Sequence, residues 1–70
     1  MSYKEVYDMV KNSGKTFPCM GENENGEFIV FECGKDDNGE FIQTTTAQKN
    51  NWNRIETYYK NGDVTETYER

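Results

Sequence analysis

Asn-Gly occurs three times in this chain, at residues 25–26, 38–39 and 61–62, each time between runs rich in Phe, Ile, Val, Thr and Tyr. No other short signal constrains the fold as tightly. Asn and Gly accept the positive φ that tight hairpin turns demand, so Asn-Gly between alternating apolar residues marks a β-hairpin. Lys49-Asn50-Asn51 supplies a fourth turn, since Asn also tolerates positive φ. The four turns cut the chain after Gly14 into five strands, near residues 16–22, 27–34, 40–47, 52–60 and 63–69. Pro18 has no N–H to give to a ladder, which places the first strand at an edge. NGEFI at 25–29 returns at 38–42; it reads as convergence on good hairpin sequence, far short of a solenoid repeat.

The first fourteen residues carry a different period. Tyr3, Val6, Tyr7 and Val10 fall at helical spacing and share one face. Ser2 with Glu5 forms a capping box, and Gly14 suits the left-handed position past a helix end, with Lys11 in the last turn. The spacing predicts a helix over about 3–13.

Turn lengths then set the strand register. A two-residue turn at Asn61-Gly62 puts Tyr59 opposite Val64, Thr57 opposite Glu66 and Ile55 opposite Tyr68, with Arg54 opposite Glu69. The same turn at Asn50-Asn51 puts Thr46 opposite Ile55, Thr44 opposite Thr57 and Ile42 opposite Tyr59. A four-residue loop at 36–39 sets Lys35 against Glu40, Cys33 against Ile42 and Phe31 against Thr44; a tighter loop would set Asp37 against Glu40, and like charges repel across a pair. One sheet face then gathers Ile29, Phe31, Cys33, Ile42, Thr44, Ile55, Thr57, Tyr59, Val64 and Tyr68, for Val6, Tyr7 and Val10 to cover. The fold class is α+β: an N-terminal helix packed on one face of a 4–5-stranded antiparallel β-meander, in one small domain of residues 1–70.

The opposite face carries Phe28, Val30, Glu32, Phe41, Gln43, Thr45, Trp52, Arg54, Glu56 and Tyr58. An antiparallel sheet with one wet face is polar on that side; here rings and a valine stand among charges, with Arg54 within reach of Trp52 or Tyr58 for a cation–π contact. Phe28, Phe41, Trp52, Arg54 and Tyr58 are the expected anchors of an interface, since aromatics and Arg dominate such sites. Packing of the rings on one another in a curled sheet, and a homodimer through this face, are the competing readings.

Charge is uneven. The net charge is −5. Residues 22–40 hold Glu22, Glu24, Glu27, Glu32, Asp36, Asp37 and Glu40 against Lys35 alone, while the other 51 residues carry six acids and seven bases. An acidic surface is repelled by phosphates and anionic lipid, which argues against direct nucleic-acid binding and against membrane docking, and favours a basic protein partner. Carboxylates two residues apart on a strand are spaced roughly 6.6 Å, close to the phosphate step, so Glu22 with Glu24, and Asp36 with Asn38, suggest a nucleic-acid mimic. Solubilising acids at hairpin tips are the plainer reading.

Chemistry is scarce. The chain has no His, the usual base near neutral pH. Ser2 and Ser13 flank the helix, and Cys19 and Cys33 have no imidazole to activate them. An EF-hand alignment on Gly26 puts Gly21 where the first Asp ligand belongs, and zinc would have two Cys fourteen residues apart and no His. No catalytic residue, metal or cofactor is expected. With no signal-like or spanning apolar run, the expected setting is the cytoplasm, with two reduced and mostly buried thiols. Seventy residues bury only about 60% of their unfolded surface, leaving little room for a deep cleft.

In size, acidity and helix-plus-meander layout, the chain resembles the small proteins that phages and mobile elements make against host defence, anti-CRISPR proteins among them. The likeness covers the whole chain, carries no motif and assigns no residue. It implies a non-enzymatic protein that binds and inhibits or modulates a basic, nucleic-acid-handling partner such as a nuclease. The alternative is a structural or assembly protein that pairs with itself through the aromatic face.

Overall fold

The computed structural model describes residues 1–70. One helix, α1 (Tyr3–Asn12), precedes five strands, β1 (Cys19–Glu22), β2 (Phe28–Asp36), β3 (Gly39–Ala47), β4 (Asn53–Tyr59) and β5 (Val64–Glu69). The strands form one antiparallel sheet in sequence order, as the turn signals require. The helix starts where Ser2 Oγ accepts the Glu5 N–H at 3.3 Å. It ends in a Schellman motif: Lys15 N–H bonds to the Val10 carbonyl and Gly14 N–H to the Lys11 carbonyl, with Gly14 at φ 76°.

Three of the four turns share one construction. Loops 24–26, 49–51 and 60–62 each hold three residues, and the third, Gly26, Asn51 or Gly62, has positive φ. The residue before each loop donates its N–H to the carbonyl just after it: Asn23 to Glu27 at 2.9 Å, Gln48 to Trp52 at 3.3 Å, Tyr59 to Asp63 at 2.8 Å. This is the three-residue hairpin loop, a type I turn closed by a left-handed residue.

That construction overturns the register expected on both sides of β4. Ile42 faces Tyr58, Thr44 faces Glu56 and Thr46 faces Arg54, not Tyr59, Thr57 and Ile55. Val64 faces Tyr58, Thr65 faces Thr57, Glu66 faces Glu56 and Tyr68 faces Arg54. One residue more in each loop shifts β4 by one position, and a shift of one turns every side chain to the other face. The β2–β3 register is as expected: Phe31 with Thr44, Cys33 with Ile42, Lys35 with Glu40.

The core therefore differs on its β4 side. It consists of Val6, Val10, Phe31, Ile42 and Tyr58, with Tyr3, Phe17, Cys19 and Ile29 packed around it. Ile42 and Val6 are wholly buried. Tyr7, expected in the core, is 39% exposed. It stacks at the rim between Tyr3 and Phe17, 6.2 Å from each, under the Lys11 ammonium. The thiols also depart from expectation: Cys33 is exposed, because α1 does not reach over it, and Cys19 is half-buried. No helix is long and apolar enough to cross a membrane.

Candidate functional site

Alternation along the paired strands assigns each side chain to a face. Phe31, Ile42 and Tyr58 lie under the helix; the open face carries Met20, Glu22, Phe28, Val30, Glu32, Asp36, Phe41, Gln43, Thr45, Ile55, Thr57, Tyr59, Thr65, Thr67 and Glu69. Every Lys and Arg within the strands falls on the helix side: Lys35 opposite Glu40, and Arg54 opposite Thr46. The open face thus presents four carboxylates and three rings with no cation among its strand residues: Asp36 with Phe41 and Tyr59 toward one end, Glu22 and Glu69 with Phe28 toward the other, and Glu32 between them.

Phe28 and Phe41 are on the open face as expected. Phe28 is 55% exposed. Phe41 meets Tyr59 edge-on at 5.6 Å between ring centroids, and Tyr59, assigned to the core by the shorter turn, is the third ring here. Its hydroxyl donates to Asp36 Oδ2 at 2.6 Å, and that bond to a carboxylate raises the phenol pKa above its ordinary value. Tyr59 therefore ties the aromatic patch to the acidic turn.

Arg54 and Tyr58 are corrected to the helix side. Arg54 Nε lies 3.3 Å from Glu56 Oε1 and is the one buried side-chain nitrogen or oxygen without a hydrogen bond. Tyr58 donates to Glu56 Oε2 at 2.9 Å. Burial first, and that carboxylate second, push the Tyr58 phenol up to about 12. Trp52 is corrected as well: it precedes β4, and its ring lies under Arg70, 4.9 Å from centroid to guanidinium carbon, instead of under Arg54. The dipeptide at 61–62 drew attention to the shorter turn; the spacing of Asp36 and Tyr59 in sequence held no sign of their contact.

The seven acids do not form one patch. Glu22, Glu24 and Glu27 surround the β1–β2 turn, whereas Asp36, Asp37 and Glu40 surround the β2–β3 turn at the other end of β2. Eight strand steps separate the ends by roughly 26 Å, well beyond the ~8–10 Å Debye length at physiological salt, so each end acts alone. Glu32 stands between them on the open face. The stepped spacing of a phosphate mimic is not formed, because Glu24 and Asn38 sit in turns and not on strands.

The β2–β3 end is the better organised. Asn38 Nδ2 donates to Asp63 Oδ2 at 2.9 Å, and Asn61 Nδ2 lies 3.2 Å from both oxygens of Asn38, so two separate hairpin tips are braced together. Asp63, missed by sequence reading, joins Asp36 and Asp37 there. Among the expected acids only Glu40 meets a lysine, Lys60 at 3.3 Å. At the opposite end, a groove of about 660 Å³ opens between the helix and the β1–β2 hairpin, lined in part by Met9, Cys19, Ile29 and Phe31 and rimmed by Lys15, Glu22 and Glu24. No group of three or more Cys, Asp or Glu side chains is arranged to hold a metal ion. Compared with known protein families, curated proteins and solved structures, the chain matches none of them.

Proposed function

We propose that this chain is a non-enzymatic binding protein that docks on a basic, nucleic-acid-handling protein in the cytoplasm and inhibits or modulates it. The observation that carries this reading is the β2–β3 end of the open face: Phe41 and Tyr59 packed edge-on beside Asp36, with Glu32 further along the same face and no Lys or Arg among the strand residues of that face. Rings supply the desolvated contact area, and the acids choose the partner's sign and speed its approach. Asp36, Asp37 and Asp63 continue the same charge onto turns already braced before binding, which lowers the entropy lost on association. A second copy on this face would set carboxylate against carboxylate, and nucleic acid would meet the wrong charge.

The test compares retention of lysate proteins by the immobilised wild-type chain and by Glu32→Lys and Phe41→Ala variants, at low and high salt. The reading expects a basic, nucleic-acid-binding protein that the wild type retains at low salt, that high salt releases and that both variants fail to hold. If everything retained is held equally by the variants, the open face is not the docking surface. Sedimentation at micromolar concentration expects a monomer.

A further inference from the structure

The two edges of the sheet are finished differently. β1 is four residues long, follows Pro18, and has the Lys15 ammonium bound to the outward carbonyl of Met20. Short edges, proline and lysine are the devices that keep sheet edges from pairing. β5 has neither proline nor lysine and is half as long again; its only charges are Glu66 and Glu69. It runs six residues, VTETYE, about 20 Å at ~3.4 Å per residue, and all six are exposed.

The Tyr59–Asp63 hydrogen bond fixes the phase of the last ladder. In an antiparallel pair the bonded positions alternate, so Thr65, Thr67 and Glu69 direct their backbone groups to β4. Val64, Glu66 and Tyr68 turn theirs outward, and no other element bonds to them. Their side chains extend rows that cross the sheet on the helix side. One row reads Thr44, Glu56, Glu66. Glu56 is answered by Arg54 and by the Tyr58 hydroxyl, whereas Glu66 receives only the Tyr68 hydroxyl. The row reaches the open edge as a carboxylate with no cation.

We propose that β5 takes up an added antiparallel strand: an extended segment of a basic protein, with Lys or Arg opposite Glu66 and β-branched residues opposite Val64 and Tyr68. The proposal rests on the basic-partner reading above and adds a mode of holding that partner, main-chain bonds for affinity and alternate side chains for choice. A second copy of the chain fits poorly. The phase lets outward residues face only outward residues. Full overlap then lines up Glu56, Glu66 and their two counterparts as four carboxylates in one row. The shift that sets Arg70 opposite Glu66 shortens the ladder to residues 66–70 and draws on a guanidinium that already lies over the Trp52 ring.

The test titrates the isotope-labelled protein with the end-blocked peptide Thr-Val-Thr-Lys-Thr-Val-Thr, and with the same peptide carrying Glu for Lys. The expected result is amide shifts and slowed exchange at Val64, Glu66 and Tyr68, with the Glu peptide weaker by about tenfold or more. Glu66→Pro removes one outward N–H and leaves the β4 ladder whole, so it abolishes binding. Glu66→Gln keeps the strand addition and loses the preference for Lys, which guards against a Pro variant that misfolds. Shifts confined to Val30, Phe41 and Thr45 overturn the edge proposal while leaving the open-face reading standing. Equal binding of the two peptides, or no shift at all, overturns it as well.

Discussion

Phe41 lies across its cross-strand partner Gly34, so closely that a Cβ on Gly34 would come 2.7 Å from Phe41 Cζ. The ring fills the place of a missing side chain and reaches Tyr59 from there. Alanine in a strand interior ordinarily outperforms glycine, because glycine loses more freedom on folding. Here the added methyl displaces Phe41 from its contact with Tyr59, a contact worth about 1 kcal/mol. Gly34→Ala is therefore expected to forfeit the usual gain and come out between neutral and about 0.5 kcal/mol destabilised in denaturant unfolding. In a Phe41→Ala background the same substitution becomes neutral or stabilising, and a double-mutant cycle reads the difference. Equal effects in both backgrounds would show that the ring does not depend on the glycine.

Tyr58 predicts an alkaline limit to stability. Its phenol is pushed up to about 12 in the folded chain, by burial first and then by Glu56, against an ordinary value near 10. Below about pH 10 both folded and unfolded chains keep the proton and the contribution is complete. Between 10 and 12 the unfolded chain releases its proton while the folded chain retains it, so stability falls as pH rises. Tyr58→Phe is expected to cost about 1 kcal/mol near neutral pH, through the lost hydrogen bond to Glu56. It should also flatten the decline in unfolding free energy between pH 10 and 12. A decline of unchanged steepness in the Phe variant would assign it to other tyrosines.

Asn51 and Gly62 hold equivalent places in two turns, at φ 68° and 104°. An L-residue with a Cβ is strained there by about 1–2 kcal/mol, and Asn less than most. Asn51→Ala should lower stability by about 1 kcal/mol and Gly62→Ala by at least as much, whereas Asn51→Gly stays close to neutral. Unfolding midpoints at constant denaturant slope check all three. An Asn51→Ala protein as stable as the wild type would deny the left-handed position.

The same two turns explain what sequence could disclose. Asn and Gly announce a turn by their tolerance of positive φ, and this located all four hairpins, the strand order and the helix end at Gly14. They do not count loop residues, because the two-residue turn and the three-residue turn both welcome Gly as the last member. Arg54 and Tyr58 crossed to the helix side on that single ambiguity, and Tyr59 came out to join Phe41. At 36–39, repulsion between Asp37 and Glu40 added an independent constraint, and there the register was read correctly. The acidic stretch was legible as composition but not as geometry, because a nine-residue strand separates its halves.

Asn38 and Asn61 make a last prediction, since they join hairpins that the chain order keeps apart. Asn38 Nδ2 reaches Asp63 at 2.9 Å, and Asn61 Nδ2 reaches back to Asn38. Asn61 Oδ1 also accepts the Asp63 N–H at 2.9 Å, so each tip is ordered within itself before it is tied to the other. Asn38→Ala removes the bond to Asp63 and the side-chain half of the Asn61 contact. It leaves the Asn61 turn intact and, of the bonds that tie residue 38 to the other tip, only that from Asn61 to the residue 38 carbonyl. The expected cost is about 1 kcal/mol, the net worth of an exposed-to-intermediate hydrogen bond. The sharper readout is amide exchange: protection should fall at residues 60–63 as well as at 37–39, though the substitution lies in the β2–β3 hairpin. Faster exchange at 37–39 alone would mean that the tips move independently and that the acids they carry are not held as one surface.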